Sequence, residues 1–266
     1  MKKITVTDIM KMKAEGKKIP VLTAYNFQMA RILDNAGIPL LLVGDSAGMV
    51  EAGYDTTLPV TMDEMVYHTR AVARGRVSAF LVSDLPFSSY QVSITDAMKN
   101  ACRLIKEGGA EAVKLEGGAR VADTVKAITS MDIPVMGHIG LTPQSVHRMG
   151  GYKVQGRTKT GAESLIEDAH AIEEAGAFSI VLEGMPANVA REITESLSIP
   201  TIGIGAGPDC DGQVLVVNDM LGLLADGRVP RFVKRYADLK NIITLATGEF
   251  IKDVEEGRFP SKDHTY

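Results

Sequence analysis

The 266-residue chain has no tryptophan, only 5% aromatic residues and two cysteines. Cys102 and Cys210 are too few for a disulfide framework, and Cys102 lies among Ala101, Leu104 and Ile105 as a small core residue would. A reducing, cytoplasmic setting is expected. Long apolar runs are also missing. Ile38 to Val43 is strand-length, far below the roughly 20 residues that span a bilayer, and the lysine-rich start has no apolar stretch fit for a signal peptide. Basic residues are not in excess either: 29 Lys and Arg stand against 33 Asp and Glu, for a formal net charge of −4. No basic run is interleaved with aromatics, which argues against nucleic acid as a partner. An anionic substrate would have to be held locally, by a metal, a lysine or a helix N-terminus.

What is present is an ordinary globular balance, 45% hydrophobic and 23% charged residues. Short apolar runs alternate with segments of helical period, the rhythm of a parallel α/β fold. The expected strands are 20–24, 39–44, 79–83, 112–115, 134–138, 179–182, 201–204 and 214–217. About eight strands fit a (β/α)8 barrel of the TIM type. EGGAEAVKLEG (Glu107–Gly117) and EAGAFSIVLEG (Glu174–Gly184) align without gaps, as one βα unit reused around a ring would. Thr160 with Glu163, and Ser93 with Asp96, read as helix starts, and Gly176 as a helix stop. No linker divides the chain, so one domain over 1–266 is expected, with a long loop at 140–159 rich in glycine.

In such a barrel the active site lies at the C-terminal ends of the strands. Those ends read Asp45, Asp84, Glu116, His138 and Glu183. Any one of them alone is equally well a turn residue or a helix cap. Carboxylates from four strands on one rim, however, repel unless something positive lies among them. Lys114 and Glu116 are two apart on one strand, with Val113 and Leu115 on the other face, so both project into the barrel. An internal Lys114–Glu116 salt bridge is the plainer alternative to a working lysine. His138 shares a face with Pro134 and Met136, and a hydrogen-bonded core histidine is the alternative there. An oxygen-only set such as Asp45, Asp84 and Glu116 suits a hard cation, Mg²⁺ before Zn²⁺. Lys114 would balance the remaining charge beside a substrate carboxylate, and Glu183 is the candidate general base. Gly203-Ile204-Gly205-Ala206-Gly207 follows the seventh strand rather than the first, and is read as a close-approach turn, not a dinucleotide fingerprint.

These residues fall within segments that together resemble the ketopantoate hydroxymethyltransferase family over nearly the whole chain. They are LTAYN (Leu22–Asn26), VGDSAGMV (Val43–Val50), TLPVTMDEMVYHTRAV (Thr57–Val72), DLPF (Asp84–Phe87), VKLEGG (Val113–Gly118), GHIGLTPQSV (Gly137–Val146), GGYKVQGR (Gly150–Arg157), VLEGMP (Val181–Pro186) and IGIGAGPDCDGQVLVVNDMLG (Ile202–Gly222). The resemblance implies a Mg²⁺-dependent barrel that moves a one-carbon unit from 5,10-methylenetetrahydrofolate to 3-methyl-2-oxobutanoate. The product would be 2-dehydropantoate, for pantothenate and coenzyme A synthesis, formed through a Mg²⁺-stabilised enolate. It implies Asp45, Asp84 and Glu116 as metal ligands, direct or through water. Asp45, Ser46, Asp84 and Lys114 would contact the oxo acid, with His138 near it and Glu183 as the base. It also implies a homo-oligomer, often a decamer. Asn218, Ser88 and Ser89 depart from the family pattern. Two rivals remain: another Mg²⁺ 2-oxo-acid barrel without folate, akin to phosphoenolpyruvate mutase and isocitrate lyase, and a catalytically silent barrel that only binds a carboxylic acid.

Overall fold

The computed structural model describes residues 2–223 and 229–266. It falls into two compact units, Met1–Val216 and Val217–Tyr266. In the first, helix α1 (Val6–Ala14) precedes β1 (Ile19–Thr23), α2 (Phe27–Asn35), β2 (Leu40–Val43), α3 (Ala47–Val50), α4 (Met62–Gly75) and β3 (Phe80–Asp84). Then come α5 (Ile94–Arg103), β4 (Ala112–Glu116), α6 (Ala122–Thr129), β5 (Val135–Gly140) and α7 (Val146–Met149). The unit ends with α8 (Lys159–Glu174), β6 (Ser179–Glu183), α9 (Ala187–Ser196), β7 (Thr201–Ile204) and β8 (Gly212–Leu215). The strands form a closed parallel barrel in sequence order, with β8 returning to pair with β1. The expected (β/α)8 barrel is therefore present and complete within this unit.

Strand alternation decides what fills the barrel. Ile19, Val21, Leu40, Leu42, Phe80, Val82, Ala112, Met136, Val181, Ile202 and Val214 share one core, which Ile9 of α1 joins. Successive members on a strand are two apart, as one face of a pleated strand requires. Polar side chains take over the same face nearer the strand ends, at Asp84, Lys114, Glu116, His138 and Glu183.

Some local details differ from expectation. Strand β8 starts at Gly212, two residues before the expected 214–217, because its pairing with Ile19 of β1 begins there. A side chain on Gly212 would meet the Ile19 carbonyl oxygen at 2.2 Å, so only glycine fits this close approach. Helix α8 is capped by Thr158, which accepts from Gly161 N, and not by Thr160. Ser93 does cap α5 as expected, and Gly176, at φ 94°, ends the turn after α8. The 140–159 loop has structure of its own, a 3-10 turn at Pro143–Ser145 followed by α7.

The second unit contains α10 (Val217–Met220) and α11 (Leu239–Glu255). Helix α11 has no buried residue, and Leu245 on it is 71% exposed. Among the described residues no helix is long and apolar enough to cross a membrane.

Asp34 pins the entry to β3. Its fully buried carboxylate accepts from the backbone N–H groups of Val77, Ser78 and Ala79 and from the Ser78 hydroxyl, at 2.6–3.2 Å. Burial alone would raise its pKa, but the donations from Ala79, Val77 and Ser78 together hold it below the ordinary value. A depressed folded pKa gives stability that is complete above the unfolded value of about 3.9 and is lost as pH falls through the folded one. Asp34→Asn should therefore cost about 1–3 kcal/mol at pH 7, and the gap to wild type should narrow below about pH 4. Urea melts across that range are the test, and a constant gap would show that the charge of Asp34 contributes nothing.

Candidate active site

Barrel register brings the strand-end side chains together in a chain. Asp84 of β3 lies opposite Lys114 of β4, and Glu116 of β4 lies opposite His138 of β5. Lys114 Nζ is 3.1 Å from Asp84 Oδ1 and 3.4 Å from His138 Nδ1. His138 Nδ1 is 3.5 Å from Glu116 Oε1, and its Nε2 is 3.1 Å from Glu183 Oε2. Two of these approaches are close without being aligned, so that Asp84 Oδ1 and His138 Nε2 are buried without a hydrogen-bond partner. Asp45 closes the group: its backbone N–H donates to Asp84 Oδ2 at 3.1 Å. The five expected residues Asp45, Asp84, Lys114, Glu116 and His138 are buried, and Glu183 is slightly open, its side chain 14% exposed. Ser46 stands at the rim with its hydroxyl 2.8 Å from that of Tyr25.

Lys114 pairs with Asp84, not with Glu116 as in the plainer expectation. Same-strand neighbours on one face are about 7 Å apart, whereas directly opposed residues on adjacent strands are closer to 5 Å. Burial opposes the charge on Lys114, but Asp84, Glu116 and Asp45 outweigh it and hold the ammonium well above its usual range. Burial and Lys114 both pull His138 down, yet Glu116 and Glu183 prevail and push it up to about 9. Asp45 is driven well above the normal carboxylate range by burial, then by Asp84 and Glu116. The pocket thus carries more negative charge than its two cations comfortably balance.

Gln144, within the 140–159 loop, joins the candidate site, and the sequence alone did not single it out. Its side-chain amide donates to Asp45 Oδ2 at 2.8 Å and to the Leu85 carbonyl at 3.0 Å. Its backbone N–H donates to Glu116 Oε2 at 3.0 Å, and its Oε1 accepts from Tyr90 at 2.8 Å. The Tyr90 hydroxyl also binds the main chain at Glu116. One loop glutamine therefore sets two of the proposed metal carboxylates. Its only signal was membership of the segment GHIGLTPQSV, since a loop has no periodicity to reveal where a side chain points. Gly140 lets this loop leave the strand: at φ 92°, a Cβ would lie 2.2 Å from the Glu183 carbonyl oxygen.

The glycine-rich turn after β7 has left-handed φ at Gly205 and Gly207, consistent with a turn. Of the departures, Ser88 takes φ 71°, Ser89 donates to the Pro86 carbonyl at 2.7 Å, and Asn218 is buried on α10. Nothing in the structure explains why serine stands at either position.

Asp45 and Asp84 fit a hard divalent cation. Asp84 Oδ1 is a buried anionic oxygen with no aligned donor, the neighbouring acids repel, and every donor is oxygen. Among the described residues no three acidic, histidine or cysteine side chains form a ready coordination cage. The expected ligands Asp45, Asp84 and Glu116 are thus not assembled as a set of three. Mg²⁺ commonly takes only one or two carboxylates, with water and substrate filling the rest of its shell.

The sequence profile of the ketopantoate hydroxymethyltransferase family matches residues 3–262. The 3-methyl-2-oxobutanoate hydroxymethyltransferase of Geobacter metallireducens is 60% identical, covering 100% of this chain and 99% of its own. That of Syntrophotalea carbinolica is 62% identical with the same coverage. Among solved structures, phosphonopyruvate hydrolase in complex with oxalate and Mg²⁺ shares the fold at a TM-score of 0.63 and 13% identity, over 98% of this chain and 93% of that one. A matched length and an identity this high leave no segment of the barrel outside the relationship: the chain belongs to the ketopantoate hydroxymethyltransferase family.

Proposed function

We infer that this enzyme moves a one-carbon unit from 5,10-methylenetetrahydrofolate onto C3 of 3-methyl-2-oxobutanoate, giving 2-dehydropantoate for pantothenate and coenzyme A synthesis. The observation that carries this reading is the buried run Asp84–Lys114–His138–Glu183, flanked by Asp45 and Glu116, in a chain whose full-length relatives bear that activity in their names. Asp45 and Asp84, with Glu116 beside them, would hold Mg²⁺, which when bound withdraws electrons from the keto and carboxylate oxygens of a 2-oxo acid and acidifies its C3 proton.

The chain's own residues do the rest. Lys114, held protonated, balances the substrate carboxylate. Glu183 is the partly open carboxylate of the group and accepts the C3 proton. His138, whose Nε2 lies 3.1 Å from Glu183, stays beside the charge that develops. Water adds to the methylene carbon of the donor, both C–N bonds to the pteridine cofactor break as its two nitrogens take up the water's protons, and the nucleophilic carbon adds to the formaldehyde so released. The oxygen of that one-carbon unit becomes the new hydroxyl by taking back the proton that Glu183 removed from C3.

The test is product formation by purified protein with Mg²⁺, the oxo acid and the folate donor. C3 proton exchange without any donor-dependent product would overturn the reading in favour of a folate-free 2-oxo-acid barrel. A homo-oligomer is the working form we expect, as membership of the family suggests. Light scattering that finds only monomer would remove that expectation.

A further inference from the structure

A cleft of about 370 Å³ lies at the C-terminal ends of β4 and β5, bounded by the loop after β4, the loop after β5 and the first turns of α8. That volume is within the range of small-molecule sites. Its walls include Gly118, Arg120, Thr142, Arg148, Gly156 and Asp168. The cleft is continuous in sequence with the site, since its wall residue Gly117 follows Glu116 and its wall residue Gly140 ends the strand that carries His138.

Its charge is uneven. Asp168 is engaged, its Oδ1 accepting from Ala119 N at 2.7 Å, and it lies so close to Gly118 that a Cβ there would sit 1.9 Å from the carboxyl. Arg120 lies against Gly117, and among the described residues its guanidinium donates to the Ser145 hydroxyl, at 3.2 Å, and to no other group. Residues 140–159 contain Arg148, Lys153, Arg157 and Lys159 and no acidic residue, in a chain of net charge −4. Among the described residues, Lys159 alone of these four has a carboxylate partner, Glu163 at 3.9 Å. Arginines without carboxylate partners around a cavity recognise anions well, because the planar guanidinium binds a carboxylate through two parallel hydrogen bonds. The small 2-oxo acid has one carboxylate, and Lys114 already serves it, so the second cationic zone calls for a second anionic ligand.

We propose that this cleft receives the carboxylate-bearing glutamate tail of the pteridine donor, with Arg120 and Arg148 as its anchors. The assignment rests on the reaction inferred above, and it names the part of the donor that each region holds. The acidic pocket faces the reacting methylene, and the basic loop and the cleft beneath it take the far end. This also explains why the loop after β5 has two duties: Gln144 at its start fixes Glu116 and Asp45, while Arg148, four residues on, reaches the cleft.

The experiment compares tetrahydrofolate with tetrahydropteroate, which lacks the glutamate, by titration calorimetry on the intact enzyme and on Arg120→Gln and Arg148→Gln. Each variant should lose about tenfold in affinity for tetrahydrofolate, the usual worth of a charge-assisted pair, with tetrahydropteroate bound as in the wild type. Equal loss for both compounds, or loss for neither, would overturn the assignment. Exchange of the oxo-acid C3 proton, which needs no donor, should stay at the wild-type rate in both variants and reports an intact pocket. Titration does not require turnover. An enzyme that binds the glutamate tail through these arginines yet transfers nothing would support the cleft and defeat the proposed reaction separately.

Discussion

Glu183→Gln is expected to lose a factor of about 10² to 10⁴ in both kcat and C3 proton exchange, the usual contribution of a positioned general base. Glutamine keeps the size of the side chain and can still face His138 Nε2, which lies 3.1 Å from the carboxylate in the structure. What it cannot do is accept a proton. Metal and oxo-acid binding should largely survive, since the residues assigned to them, His138 on β5 apart, lie on β2, β3 and β4 or directly after them, whereas Glu183 ends β6. The measurement is loss of the C3 proton signal in D₂O by NMR, with Mg²⁺ present and folate absent. Exchange at the wild-type rate would exclude Glu183 as the base. His138, whose Nε2 lies 3.1 Å from Glu183, would then be the first candidate.

Lys114→Met should raise KM for the oxo acid by about 10- to 100-fold and leave kcat much less affected, because a charge that meets the substrate carboxylate acts in ground and transition state alike. Methionine retains most of the buried stem, so the change removes mainly the ammonium. The same substitution takes the cation from beside Asp84, 3.1 Å away and almost fully buried, so some stability is lost as well. Kinetics and thermal melts, both with Mg²⁺ present, separate the two roles. A lower melting midpoint with near-normal KM would make Lys114 a structural partner of Asp84 and remove it from substrate binding.

The amino-acid sequence by itself determined the barrel, the inward face of each strand and the acidic rim. A strand has a side-chain period of two, so Lys114 with Glu116, Met136 with His138 and Val181 with Glu183 had to share faces once the strands were recognised. All eight strands lie within two residues of their expected bounds, and β8 is shifted by two at both ends because its start is set by pairing with Ile19 of β1. Partner choice was different. Whether Lys114 met Glu116 or Asp84 depended on the stagger of β3 against β4, a relation between strands that neither strand encodes alone. Gln144 and the cleft beside Arg120 and Arg148 were out of reach for the same reason: they lie on loops, whose paths follow from the close approaches that glycines such as Gly118 and Gly140 permit. Periodic segments carry their geometry in the order of their residues, and contacts between loops and strands exist only after the ring has closed.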